Sequence, residues 1–568
     1  MKWIIQELSK DRELFSRNLQ ISPLLAQILL NRNIKSLKSA EEFLSCRYSS
    51  FHAHEKLLGI EKAKERIRTA IAKKEKIIVY GDYDADGITA TALIVKFLKR
   101  FKVNAGWYIP DRIEEGYGIS RQFLNNILSC QVEQAKDISL IITVDCGISA
   151  KDEIGFLQSK GIDVIVTDHH CIPKDGIPSA FACINPHQLD CSYPDDNLAG
   201  VGIAFKLIQS LQDNRVLEEF FDIVCIGTVA DVVPLIGENR IFVKHGLRKL
   251  QYTNDYGISA LINTSGLTGR TLRSEHIAFI LGPRINAVGR LGDPNKAMQL
   301  LLSEDRKTAF EIARILEDAN RERKRQEDRI LREVQGRIEQ EIDLRNTYAL
   351  VIEGSGWSTG IIGIVASRIV DIYSRPCVIV CSDEKEIWKG SGRSIEKFNL
   401  IEGLNQCSDV LEKYGGHTFA AGIAIKKDNL ARFKSKLNTA ASDILKLEDL
   451  RENINVDASI ELKDITPDFL EEMEKIEPFG QGNPKPIFVA RNLKVKASSL
   501  TKDGKTIVWL TDGNVVYQGT IKKRLQNIKH YVSTPVSVDI AFGASLTYIE
   551  NMASVKIDII DLKISSVF

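Results

Sequence analysis

In GDYDADGITATAL, residues 81–93, Asp82, Asp84 and Asp86 crowd into five positions ahead of a glycine and a run of helix-compatible residues. Carboxylates this close repel and raise one another's pKa, so they destabilise the chain unless a cation or a set of backbone donors neutralises them. Other apolar runs also end in chemistry: LIITVDCGIS at Asp145, DVIVTDHH at Asp168, His169 and His170, and FDIVCIGTVADVVPL at Asp231. Taken singly, an aspartate after a strand reads as a helix N-cap and the two histidines as solvated loop residues. Taken together, four strand ends bearing Asp or His point to a metal site. Oxygen ligands with one or two imidazoles and no thiolate suit manganese or magnesium rather than structural zinc.

The elements needed to position these residues follow from the same runs. KIIVYGDYDADG is a short β-branched run broken by Gly81, and helical stretches separate it from the later runs, so the alternation predicts a doubly wound parallel sheet with right-handed crossovers. In such sheets the carboxyl ends of the strands line the ligand crevice, so the four loops are expected on one edge. The 568 residues, 44% hydrophobic and 27% charged, suffice for several domains. No apolar run approaches the roughly 18 residues that cross a bilayer, and MKWIIQELSKDRELF lacks the apolar core of a signal peptide, so a cytoplasmic protein without a membrane partner is expected. Ten cysteines without a C-x-x-C pair predict reduced thiols, with Cys377 and Cys381 packing in a strand. The net charge of +1 requires any nucleic-acid surface to arise from local charge segregation.

DYDADG, DCGIS, TDHH and ADVVPL resemble the successive motifs of the DHH phosphoesterase superfamily. By that resemblance Asp84, Asp86, Asp145, His169 and Asp231 correspond to ligands of two divalent cations, Mn2+ or Mg2+, with Asp145 bridging and His170 facing phosphate. Smaller relatives carry a histidine where this chain has Tyr80, and Asp82 is the candidate replacement. Two cations about 4 Å apart would cancel the carboxylate repulsion, activate a water and hold the leaving oxygen of an in-line displacement at phosphorus.

Within the superfamily the chain is similar to the RecJ exonucleases from about Lys76 onward. LGPRINAVGRLGD (281–293) and YIPDRIEEGYG (108–118) match RecJ stretches, which implies DNA contacts at Arg284, Arg112 and Tyr117; the alternative for Arg284 is a loop arginine paired with a helix end. Residues 303–346 read as a long charged helix. Its apolar Phe310, Ile315 and Leu316, then Ile330, Val334, Ile338 and Ile342, leave Asn320 to Arg329 without an apolar residue, which predicts a bridge across solvent or else a coiled-coil arm. GWSTGIIGIVASRI, GSGRS and YGGHTFAAG resemble the DHHA1 domain, and their glycine turns with Ser391, Arg393 and His417 are candidate phosphate contacts. There Ser358 replaces a histidine common in RecJ sequences. After PFGQGNPKPIF, five alternating segments predict an OB-type barrel. Lys485 to His530 carries ten Lys or Arg against two Asp, with Phe488, Trp509 and Tyr517 interleaved, as a single-strand groove or an ordinary aromatic core would.

The expected organisation is a helical segment at 1–60, the DHH α/β domain at 61–302, the linking helix at 303–346, the DHHA1 α/β domain at 347–450 and the barrel at 451–568. The resemblance implies 5′→3′ hydrolysis of single-stranded DNA to 5′-mononucleotides in recombination and repair, by a monomer, with a single-strand-binding protein and a RecQ-type helicase as partners. Two other readings stay open: a phosphodiesterase of short oligonucleotides or cyclic dinucleotides, which needs neither long helix nor barrel, and a non-catalytic replication-fork relative, which would have lost metal ligands.

Overall fold

The computed structural model describes every residue except 113, 117, 130–136, 213–216, 383–385, 502–504, 522–536, 550–551 and 566–568. The chain forms two compact units. One comprises His52–Asp231 and His245–Glu452, the other Met1–Phe51, Val232–Lys244 and Asn453–Phe568.

The first unit begins with the expected parallel sheet. Strands β1 (Lys76–Gly81), β2 (Ala105–Tyr108), β3 (Ile138–Val144), β4 (Asp163–Thr167) and β5 (Ala182–Ile184) lie in the order β2-β1-β3-β4-β5, all pairs parallel. β1 and β3 are almost wholly buried, as strands covered on both faces must be. Helix α1 (Ala85–Lys99) follows β1 directly and packs against α2 (Gly200–Ser210) and α3 (Phe221–Ala230). The run FDIVCIGTVAD is therefore a helix ending at Asp231, not the expected strand. Phe221 to Val229 are buried without exception, and a helix apolar on every side leaves no periodicity by which a ten-residue run can be told from a buried strand.

The unit continues through α4 (Gly282–Leu291) and the 36-residue α5 (Arg306–Glu341), about 54 Å long at 1.5 Å per residue. α5 is not a bridge across solvent. Asn320, Arg323 and Glu327 are buried; Arg323 donates to Asn320 at 3.0 Å and to Glu327 at 3.1 Å, and Arg368 reaches Glu327 at 2.9 Å. The stretch without apolar residues is thus a buried polar strip; of the expected apolar contacts Leu316, Ile330, Val334 and Ile338 are buried, while Phe310 and Ile315 lie exposed and Ala309 and Ala313 pack in their place. Beyond α5, strands β6 (Leu350–Ser355), β7 (Cys377–Ser382), β8 (Ile387–Arg393), β9 (Lys413–Gly416) and β10 (Ala420–Lys426) form a sheet in the order β9-β10-β8-β7-β6, with α6 (Thr359–Tyr373) against β7 and β8. Cys377 and Cys381 are buried in β7 as expected. GSGRS, expected as a turn, lies mostly within β8. A Cβ on Gly390 would come within 2.7 Å of Ile423 Cγ1 and one on Gly392 within 2.9 Å of Leu400 Cδ2, so close packing inside the sheet is what demands glycine.

In the second unit β11 (Phe488–Leu500), β12 (Thr506–Thr511), β13 (Val516–Ile521), β14 (Ser537–Ile549) and β15 (Met552–Ile564) run in the order β11-β12-β13-β15-β14, and pairing of β14 with β11 closes the five-stranded barrel. Residues Lys2–Ile5 pair in parallel with Asn453–Val456, and Leu25, Ile28 and Leu29 share one core with Phe488, Phe542 and Ile557. Phe488 is therefore a core ring rather than a base-stacking one, and the Tyr517 hydroxyl donates to Ile465 O at 2.7 Å; Trp509 stays half-buried. Buried Arg240 fastens Val232–Lys244 here by donating to the carbonyls of Phe43, Lys475, Ile476 and Glu477.

Candidate metal centre and adjoining cleft

The loop after β1 is held by its own carboxylates. Asp84 caps α1, its Oδ1 accepting from the backbone N–H of Asp86 at 2.9 Å and of Gly87 at 3.1 Å. Gly87 is obligatory because a Cβ there would meet Asp82 O at 2.5 Å. Asp86, fully buried in the first turn, accepts from Gly200 N at 2.6 Å and Val201 N at 2.9 Å at the start of α2. Asn286 of α4 takes the Ala85 N–H at 2.8 Å. From the other strands, Asp145 leaves β3 with φ 58°, a left-handed conformation uncommon for a non-glycine residue, and buried Asp168 leaves β4. Asp168 accepts from the backbone of His169, His170 and Ile148 and from His170 Nδ1 at 2.7 Å, so it orients the two histidines instead of joining the cluster.

The loops and the end of α3 bring the expected groups together. Ligand atoms of Asp82, Asp84 and Asp145 lie within 4.8 Å of one another, as do those of Asp86, His169 and Asp231 and those of Asp145, His169 and His170. Asp145 and His169 each belong to two of these groups, with Asp145 Oδ1 3.1 Å from His169 Nε2. Burial and the neighbouring aspartates raise Asp82, Asp86 and Asp145 well above the carboxylate range and lift Asp231 to about 7. Burial, with His170 adding to it, lowers His169 to about 4, so its imidazole is neutral at physiological pH and fit to ligate. Burial opposes protonation of His170 too, but Asp168 overrides it and raises the ring to about 9.

Among the described residues, Asp82 Oδ1, Asp145 Oδ1, His169 Nε2 and Asp231 Oδ2 are buried without a hydrogen-bond partner. Unsatisfied polar atoms cost free energy, and four acceptor atoms in one cluster fit divalent cations and little else. Tyr80 contributes nothing there. Its ring packs in the core and its hydroxyl donates to Gly118 O at 2.8 Å.

Beside the cluster runs a cleft of about 530 Å³ lined by Arg112, Thr359, Gly360, Lys389, Ser391, Lys413 and Tyr414 among others. Arg112 stacks over Tyr83, 4.9 Å from the ring centroid; Tyr117 lies outside the described residues. Arg393 donates to Ser391 Oγ at 3.1 Å, and Gly363 of α6 passes so close that a Cβ would be 2.8 Å from that oxygen and 3.0 Å from Arg393 Nη2. Ser358 caps the start of α6 without a side-chain bond. His417 is exposed at the β9–β10 turn and does not line the cleft. Arg284 is not brought to the cleft either: it lies in α4, not a loop, and is spent on Glu317 at 2.6 Å and Ile280 O at 2.6 Å. Arg290 is the arginine of α4 that faces this region. It bonds Gly360 O at 2.8 Å, and burial with the charges of Arg112, Arg323 and Arg393 lowers it to about 9. LGPRINAVGRLGD holds both Arg284 and Arg290, and the structure brings Arg290 toward the cleft, whereas neither Lys389, just before GSGRS, nor Tyr414, at the start of YGGHTFAAG, is marked as a candidate by its motif.

Three domain families match the chain: DHH family, N-terminal domain, at 76–228, DHHA1 domain at 346–443 and RecJ OB domain at 456–561. The chain is 39% identical over 516 residues to the single-stranded-DNA-specific exonuclease RecJ of Bacillus subtilis, covering 90% of this chain and 64% of that one. It thus spans just under two thirds of that relative. It is 33% identical over 491 residues to the Escherichia coli protein of the same name, covering 83% of each. The crystal structure of RecJ in complex with Mn2+ from Thermus thermophilus superposes with a TM-score of 0.85 at 26% identity, covering 100% of this chain and 80% of that one.

Proposed function

The chain belongs to the RecJ family of single-stranded-DNA-specific exonucleases, and on that premise we propose that it hydrolyses single-stranded DNA from the 5′ end to 5′-mononucleotides. The observation that carries the reading is the buried cluster of four unpartnered ligand atoms on Asp82, Asp145, His169 and Asp231. With Asp84 and Asp86, these residues would hold two divalent cations, Mn2+ or Mg2+, Asp145 being shared. Such cations supply Lewis acidity toward a phosphate ester and acidify a water.

The remaining roles fall to the chain's own groups. Asp168 fixes the His170 ring through Nδ1 at 2.7 Å and keeps it protonated at neutral pH, so His170 presents positive charge to the phosphate. Gly200 and Val201 N–H groups hold Asp86 so that it need not move when a ligand arrives. Ser391 and Arg393, with Arg112 and Arg290, receive the terminal 5′-phosphate and stop the strand, which gives polarity to a centre that has none of its own; Tyr117 is a proposed base contact. The barrel grips longer strands, which disfavours a dinucleotide phosphodiesterase. By family membership the proposed setting is recombination and repair, with a single-strand-binding protein and a RecQ-type helicase as partners and a cytoplasmic monomer as the working form. Among the described residues no helix is long and apolar enough to cross a membrane.

Single strands labelled at either end, incubated with Mn2+, test the polarity. Mononucleotide should appear at once from the 5′ label and only late from the 3′ label. Early release from the 3′ label would contradict the assignment.

A further inference from the structure

The cleft extends past the groups that a single terminal phosphate needs. Along β8 the side chains of Lys389, Ser391 and Arg393 share one face, at steps of about 7 Å. Register places Ser391 opposite Gly422, itself opposite Gly415, and Lys389 opposite Ala424, itself opposite Lys413. Paired residues lie on the same face, so this face offers a glycine and alanine floor flanked by two lysines. The space is open: a Cβ on Gly415 or Gly422 would meet nothing within 4 Å, whereas those on Gly390 and Gly392 would strike the opposite, core side. α6 closes the Ser391–Arg393 end through Gly363, and the Lys389–Lys413 end stays exposed. Among the described residues Arg112, Lys389 and Lys413 line the cleft, no carboxylate does, and neither lysine enters an ion pair. A floor without side chains between unpaired cations suits a ligand bearing several adjacent negative charges.

We propose that this extension receives the further phosphates of a 5′-polyphosphorylated strand, so that the site accepts an unprocessed 5′-triphosphate end as left by template-directed synthesis started de novo. The inference rests on the reading that Ser391 and Arg393 take the terminal phosphate. The α-phosphate occupies that position, and the β- and γ-phosphates run outward to Lys389 and Lys413. Hydrolysis then adds one water across the first phosphodiester. A bond forms from the water oxygen to phosphorus, the P–O3′ bond breaks, and the 3′ oxygen leaves with a proton. The products are a nucleoside 5′-triphosphate, its anhydrides intact, and a strand one residue shorter with a 5′-monophosphate.

Oligonucleotides with 5′-hydroxyl, 5′-monophosphate and 5′-triphosphate ends, digested by the full chain with Mn2+ and analysed by mass spectrometry, test this. The wild type should release nucleoside triphosphate in the first turnover at a rate within about tenfold of monophosphate release. In Lys389→Ala/Lys413→Ala, the ratio of kcat/KM for triphosphate over monophosphate ends should fall about tenfold or more, as expected when one or two charge-assisted hydrogen bonds to phosphate are removed. A wild type that cuts the monophosphate strand but refuses the triphosphate, or that releases pyrophosphate, overturns the proposal alone. A double variant slowed equally on all three ends assigns the lysines to the strand and overturns it too. A wild type inactive on the monophosphate strand removes the exonuclease reading and this one with it.

Discussion

Asp145 sits in two of the three ligand groups and Asp82 in one, so their substitutions should differ. Asp145→Ala should abolish Mn2+ binding at both positions and slow hydrolysis on the order of a thousandfold or more, whereas Asp82→Ala should retain partial activity. Titration calorimetry beside single-turnover rates ranks them; equal, complete loss would remove the distinction. The raised carboxylates add a pH signature. In the metal-free protein Asp231 titrates near 7, so below that pH it holds a proton that a cation must displace. Apparent Mn2+ affinity should therefore weaken by at least about tenfold for each unit that pH falls below 7, more where the raised Asp82, Asp86 and Asp145 also yield protons, with proton release detectable in buffers of different ionisation enthalpy. Affinity flat from pH 5.5 to 7.5 would mean that Asp231 is already ionised across that range and is not raised by its neighbours. Most of these residues were legible because each follows an apolar run at a spacing that loops must honour. The orientation of the two arginines was not: Arg284 and Arg290 stand six residues apart on α4, about 120° round the helix, and only the packing of Glu317 against Arg284 and of Gly360 O against Arg290 separates them.

Helix α5 gives the sharpest contrast between pattern and packing. Glu327 receives Arg323 and Arg368 with its side chain 10% exposed, while the Arg321 side chain is 64% exposed. Glu327→Ala removes the carboxylate partner of the buried Arg323 guanidinium, while half-exposed Arg368 keeps Asp328 at 3.2 Å, and should cost about 3 kcal/mol, against under about 1 kcal/mol for Arg321→Ala. Urea unfolding of both variants checks this, and a Glu327→Ala midpoint like that of the wild type would mean the strip is solvated. The helix was visible in the sequence, but its buried polar face was not, because a run without apolar residues looks the same whether water or other side chains satisfy it. The same limit applies to α3, where uniform hydrophobicity hid the helical period.

Segments from the two halves of the sequence meet in one of the two units in a way that local patterns do not encode. Residues before Phe51 and after Asn453 build one core, and Ile21, Leu25, Ile28 and Leu29 are buried in it. Deleting residues 1–51 should expose this apolar surface and lower the thermal midpoint of the barrel unit by several degrees or render the chain insoluble. An unshifted midpoint would mean the amino-terminal segment is an appendage. The order of domains was legible from motifs, whereas a pairing such as Trp3 with Ile454 joins positions too far apart for any periodicity to link. The proposed activity requires that this cluster hold cations. Single-turnover hydrolysis of 5′-labelled single-stranded DNA, by wild type and Asp145→Ala, across Mn2+ concentrations and in chelator, measures that dependence. The account predicts mononucleotide release that requires Mn2+ and disappears in Asp145→Ala; undiminished release by the variant, or by the wild type in chelator, would contradict it.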